Sequence, residues 1–103
     1  MRYLKLVPCL ALLIAQFALP LAANAAPAGA RCGGIVPLQC GPGKFCNYAA
    51  GTCGRGDQMG RCAVRPHICP LYVRPVCGCN HKTYSNDCRR MQAGVSKLHD
   101  GKC

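Results

Sequence analysis

Sulfur and imidazole are the groups in this sequence that could do chemistry: eleven cysteines and three histidines, His67, His81 and His99, stand in 103 residues. A thiolate attacks carbonyl carbon or ligates a metal, and a nearby imidazole serves as base or co-ligand. Neither use fits. The segment "CGCNH", Cys77 to His81, and the cysteines around it do not follow the spacings of a Cys₂His₂ or Cys₄ zinc module. There are three acids, Asp57, Asp87 and Asp100, and no Glu; two of these sit where local structure would use them. We expect no enzyme, no metal and no cofactor. What remains for the sulfurs is each other.

That reading depends on compartment. Residues 1–25 read as a secretory signal: Arg2 and Lys5 precede the apolar run "LVPCLALLIAQFALPLA", and Ala23-Asn24-Ala25 offers a small-x-small cleavage site. Pro8, Gln16 and Pro20 interrupt the run, so no membrane span is expected after cleavage. Cys9 leaves with the signal, and Ala26–Cys103 keeps ten cysteines. An even number in an exported chain means disulfides, formed in the periplasm or outside the cell. So short a chain buries little apolar surface, and crosslinks worth ~2–4 kcal/mol each substitute for a core. Eleven Lys/Arg against three acids give this segment a formal +8. The basic residues are scattered and aromatics few, which excludes a nucleic-acid arm or stacking platform. No amphipathic apolar face suits a membrane-active peptide. Attraction to an acidic partner follows from the charge itself.

Residues 26–31, "APAGAR", form a flexible leader. Residues 32–61 are a cysteine-rich extension whose first part, "CGGIVPLQCGPGKFCNYAAGTC", is dense in glycine and proline. We expect a looped knot there with at most a short hairpin. The linking "GRGDQMGR" contains Arg55-Gly56-Asp57, a tripeptide that integrins read, but a glycine-rich basic linker accounts for it. Residues 62–103 have clearer elements. "RPVCG" and "KTYS" alternate as short strands with Asn80-His81 as the turn, where Asn takes positive φ more readily than His. "SNDCRRMQAG" is a short helix with Ser85 or Asn86 as N-cap, Asp87 in the first turn and Gly94 as the C-terminal stop. "VSKLHDGKC" offers a closing strand.

The second region resembles a Kazal-type serine protease inhibitor domain. The resemblance rests on Cys69, seven intervening residues, "PVCG", "KTYSN", Cys88 and the closing "HDGKC". It implies a small disulfide-rich α+β fold, a short helix on a three-stranded antiparallel sheet, preceded here by the looped extension. It also implies an exposed loop between Cys69 and Cys77 that a serine protease meets as substrate. Matched by position, Leu71 is P1, the residue that fills the protease's S1 pocket, and Tyr72 is P1′. The reactive bond is then Leu71–Tyr72, flanked in the binding loop by Cys69, Pro70, Val73 and Arg74. Asn86 matches the residue that supports the loop by hydrogen bonds, a role set against its use as N-cap, and Tyr84 matches a core residue beneath the loop. An apolar P1 favours subtilisin-like, chymotrypsin-like or elastase-like proteases, and a monomer is expected.

The sequence departs from that family at Val95, where a fifth cysteine is usual, and at Cys79, where Ser or Asp is more common. This pattern is similar to a subgroup found in small exported bacterial proteins. The resemblance implies the pairs Cys69–Cys88 and Cys77–Cys103. With the displaced crosslink assigned to Cys62–Cys79, Cys32, Cys40, Cys46 and Cys53 pair among themselves; the alternative is that Cys62 bonds into the first group. The rival function is a non-inhibitory Kazal-like protein-interaction module.

Overall fold

The computed structural model describes residues 26–103; the signal reading of residues 1–25 lies outside them. Six strands and one helix follow in the order β1 (Arg31–Gly33), β2 (Lys44–Asn47), β3 (Met59–Val64), β4 (Val76–Gly78), β5 (Thr83–Tyr84), α1 (Asp87–Gln92) and β6 (Lys97–Asp100). They make two antiparallel three-stranded sheets, ordered β1-β3-β2 and β5-β4-β6. The small disulfide-rich α+β architecture is therefore as expected for residues 62 onward. The extension is more regular than expected, because its strands close a sheet of their own.

That first sheet is hard to see in sequence. Its strands are short, and the central one, β3, contains Gly60. The glycine is required by crowding: a Cβ there would sit 2.8 Å from the Asn47 carbonyl oxygen and 2.9 Å from Cys46 Sγ. A residue that reads as a turn signal thus marks a close approach between strands. β3 runs across residues 61 and 62, so Cys62 lies opposite Cys46 in the first sheet, buried.

This placement corrects the expected Cys62–Cys79 pair and bears out the alternative that Cys62 bonds into the first group. Cys62 bonds Cys40, and Cys79 bonds Cys53, so neither Cys62–Cys79 nor a closed set of Cys32, Cys40, Cys46 and Cys53 exists. The reason is the strand: β3 pairs with β1 and β2, which holds Cys62 within the N-terminal lobe beside Cys40, while Cys79, just past β4, reaches across to Cys53. The remaining bonds are Cys32–Cys46, Cys69–Cys88 and Cys77–Cys103, the last two as the resemblance implied. Cys53–Cys79 is the covalent tie between the lobes.

The turn between β4 and β5 also differs. Positive φ falls on His81 (63°) rather than Asn80. Asn80 instead uses its side chain locally: Oδ1 accepts from the Lys82 amide (3.3 Å) and Nδ2 donates to the Tyr84 hydroxyl (2.8 Å). The His81 amide donates to Gly78 O and the Gly78 amide to Lys82 O, which makes a three-residue loop ending in a left-handed residue.

Helix α1 ends as its sequence suggests. Gly94 (φ 74°) donates to Met91 O, and Val95 donates to Arg90 O, the double closure of a Schellman motif. Val95 packs its Cγ1 against Gly78. Arg90 is buried and binds three groups: Asp87 Oδ1 (2.9 Å), the Val95 carbonyl and, across the lobes, Asn47 Oδ1 (3.4 Å). Ser96 Oγ accepts from the Tyr48 amide (3.0 Å), and the Gly51 amide donates to Lys97 O (3.0 Å). The lobes are thus joined by one cystine and a band of polar contacts.

Two consequences can be measured. Replacing both Cys53 and Cys79 by serine removes a crosslink spanning 26 residues and is expected to cost about 2–4 kcal/mol in chemical denaturation without reductant. The second concerns acid. Burial raises the Asp87 pKa, but hydrogen bonds from Lys97 and Arg90, with their charges, outweigh it and hold the carboxyl below its ordinary value. A depressed carboxylate stabilises the fold fully above its unfolded pKa of about 4, and that contribution fades as pH falls through the lower folded value. Acid titration of stability should therefore show a loss below about pH 4 that Asp87→Asn diminishes, modestly because the side chain is 43% exposed.

Candidate functional site

The loop expected to carry function is displayed rather than packed. From residue 66 to 73 no backbone group pairs with another backbone group among the described residues. Leu71 is 84% exposed, Val73 75% and Tyr72 50%. Pro70 and Arg74 are exposed as well. An apolar side chain held in water at this exposure forgoes roughly 1.5–3 kcal/mol of burial. Such a loss is tolerable where another molecule later covers the group.

Both ends are fixed. Cys69, buried, bonds Cys88 on α1, and Cys77, buried in the central strand β4, bonds Cys103. The Arg74 amide donates to Ser85 O at 2.8 Å, and on the approach Gln92 Nε2 donates to His67 O at 2.9 Å. The cystines alone would leave the middle free.

Asn86 holds that middle. Its Nδ2 donates to Pro70 O (3.1 Å) and to Tyr72 O (2.8 Å), the carbonyls on either side of Leu71. Its Oδ1 accepts from the Arg89 amide (2.9 Å), which is the N-cap bond of α1. The expectation that Asn86 would serve one role or the other is corrected: it serves both. A primary amide has two donors on one end and an acceptor on the other, so the two duties do not compete. The residue is 1% exposed and its carboxamide hydrogens and oxygen are all engaged.

Other residues fall elsewhere. Tyr84 is half-buried on β5, opposite Val76, with its ring against Gly78 and its hydroxyl on Asn80. Ile68, 87% exposed and adjacent to Cys69, extends the apolar surface of the loop and was missed in the sequence, where an apolar residue beside a cystine carries no distinctive signal. Arg55 of the Arg-Gly-Asp tripeptide turns back on its own loop, donating to Thr52 O (3.2 Å) and Gly51 O (2.8 Å). The sulfurs of Cys32, Cys40 and Cys62 lie within 4.8 Å of one another, but each belongs to a disulfide and offers no thiolate.

Comparison with known proteins assigns the class. Residues 46–103 match the Kazal-type serine protease inhibitor domain, so the chain belongs to that family, whose members inhibit rather than catalyse. It is similar to insulin-like growth factor-binding protein-like 1 of Mus musculus, 34% identical over 86 residues, covering 73% of this chain and 29% of that protein. It is also similar to ovoinhibitor of Gallus gallus, 42% identical over 41 residues (34% of this chain, 8% of that protein). A double-headed protease inhibitor from the submandibular gland of Vulpes vulpes is 34% identical over 56 residues (48% of this chain, 42% of that protein). The chain spans less than half the length of each of these three. No solved structure matches it.

The double duty of Asn86 can be separated. Asn86→Asp keeps an oxygen for the cap and suits the helix N-terminus, but removes both donors to the loop. We expect α1 amides to keep their hydrogen-exchange protection while the backbone from Pro70 to Val73 becomes mobile in NMR relaxation. Asn86→Ala should loosen both.

Proposed function

We propose that this chain is an exported, substrate-like inhibitor of serine proteases with an apolar S1 pocket, and that Leu71–Tyr72 is the bond it offers. The observation that carries the reading is the pair of hydrogen bonds from Asn86 to the Pro70 and Tyr72 carbonyls beneath an exposed Leu71. Subtilisin-like, chymotrypsin-like and elastase-like enzymes are the target classes, and +8 favours those with acidic surroundings.

The mechanism follows from what the loop cannot do. A free peptide loses conformational entropy on docking; this one is already fixed at both ends and in the middle, so more of its contact energy appears as affinity. When the protease serine attacks the Leu71 carbonyl carbon, the Leu71–Tyr72 amide breaks and the Tyr72 amine is released from the acyl group. In an ordinary substrate that amine diffuses away. Here the acyl side stays tied through Cys69–Cys88, and the amine side through Arg74–Ser85 and β4. Asn86 spans the break, holding Pro70 on one side and Tyr72 on the other. The amine remains within reach of the acyl carbon, so re-formation of the amide competes with hydrolysis.

A second reading is a non-inhibitory interaction module. It draws on the match to an insulin-like growth factor-binding protein-like chain, which extends over 73% of this one. The two readings part on a simple assay. The oxidised mature chain should inhibit subtilisin or chymotrypsin, lose that activity on reduction, and switch toward trypsin in Leu71→Arg. Under the alternative, Leu71–Tyr72 is cut steadily with no inhibition.

A further inference from the structure

The outward face of the first sheet carries a feature that protease inhibition does not use. Arg31 stands directly opposite Arg61, which on its other side stands opposite Asn47. Cross-strand partners share a face, so two guanidiniums and an amide form one row across all three strands. Like charges set opposite each other destabilise a sheet. Among the described residues neither arginine has an acidic partner; Arg61 donates only to the Gly29 carbonyl (3.1 Å). Both are exposed.

The row opens into a groove of about 470 Å³ that Tyr48 and Met59 also line. Met59 continues it toward apolar surface, since its sulfur lies against Gly34 in the hairpin that follows β1. That hairpin is closed by mutual hydrogen bonds between Gly33 and Leu38 and displays Ile35 at 79% and Val36 at 70% exposure. A tight turn of this kind is not an extended protease substrate. It is an apolar projection beside a cationic slot.

We propose that this groove binds an acidic segment of a partner protein, its carboxylates taken by Arg31 and Arg61 and an adjacent apolar side chain by Met59 and the Ile35–Val36 turn. Paired guanidiniums match carboxylate geometry, and a bridging anion turns their mutual repulsion into attraction. The apolar neighbour selects a peptide over a plain polyanion. None of these residues belongs to the Cys69–Cys77 loop, so the chain can hold a partner and a protease together.

The test uses the oxidised mature chain and three probes: a labelled peptide of alternating Glu and Leu, an all-Glu peptide of equal charge, and dextran sulfate. Arg31→Gln with Arg61→Gln should weaken the Glu/Leu peptide at least about tenfold. Lys82→Gln with Lys102→Gln removes equal charge elsewhere and should change it less than about threefold. Met59→Ser should weaken the Glu/Leu peptide and leave the all-Glu peptide unchanged. Inhibition through Leu71 should persist in every variant, with ten oxidised cysteines by intact mass. Equal loss in the two charge variants would reduce the effect to net charge and overturn the proposal. So would tighter binding of dextran sulfate with no dependence on Met59, or loss of inhibition together with peptide binding.

Discussion

The structure depends on a shortage of apolar core. Among the described residues the buried apolar side chains are Phe45, Val76 and four half-cystines, Cys32, Cys62, Cys69 and Cys77. Two ordinary hydrophobes cannot offset the entropy of ordering some seventy-five residues. Order is therefore imposed by covalent closure, and the sulfurs serve as both crosslink and packing material. The same constraint explains the buried polar residues. Asn86, Arg90 and Ser96 occupy positions that a larger protein would fill with Leu or Phe, and each is kept there by multiple hydrogen bonds. Buried polar groups so satisfied fix geometry more narrowly than apolar contact does.

Asn86 shows how that economy produces a site. A leucine in its place would bury well but leave the Pro70–Tyr72 segment with no internal restraint and the first turn of α1 with an unpaired amide. A single carboxamide meets both needs because cap and loop lie on opposite ends of it. The helix is only six residues long and would not persist alone. It is sustained by the Cys69–Cys88 bond, the cap and the Schellman closure, and in return it positions the group that holds the loop.

How much of this was legible in the sequence varies with how local the cause is. Helix start and stop were readable because Asn86, Asp87 and Gly94 act through their own turn. The two crosslinks of the loop were readable through the family resemblance, which fixes Cys69, Cys77, Cys88 and Cys103 together. Cys62 was not, because its partner depends on which sheet β3 joins, and a strand containing Gly60 between Met59 and Arg61 looks like linker. His81 was missed for a related reason: Asn80 is the better left-handed residue by itself, but its side chain was already committed to Lys82 and Tyr84. Likewise the two uses of Asn86 looked exclusive because the sequence lists a residue once, whereas its side chain has three polar hydrogen-bonding positions.

These links run across the whole molecule. The N-terminal lobe touches α1 through Asn47 on Arg90, and the segment beyond α1 through Tyr48 on Ser96 and Gly51 on Lys97. Arg90 lies one helical turn from Asn86, and its amide donates to the Asn86 carbonyl. Movement of the first sheet is thus opposed by contacts that end on the residue bracing Leu71. The Cys53–Cys79 bond and this polar band restrain the region around α1 from the N-terminal side. The extension is then more than a spacer: it braces the helix and its sheet from outside.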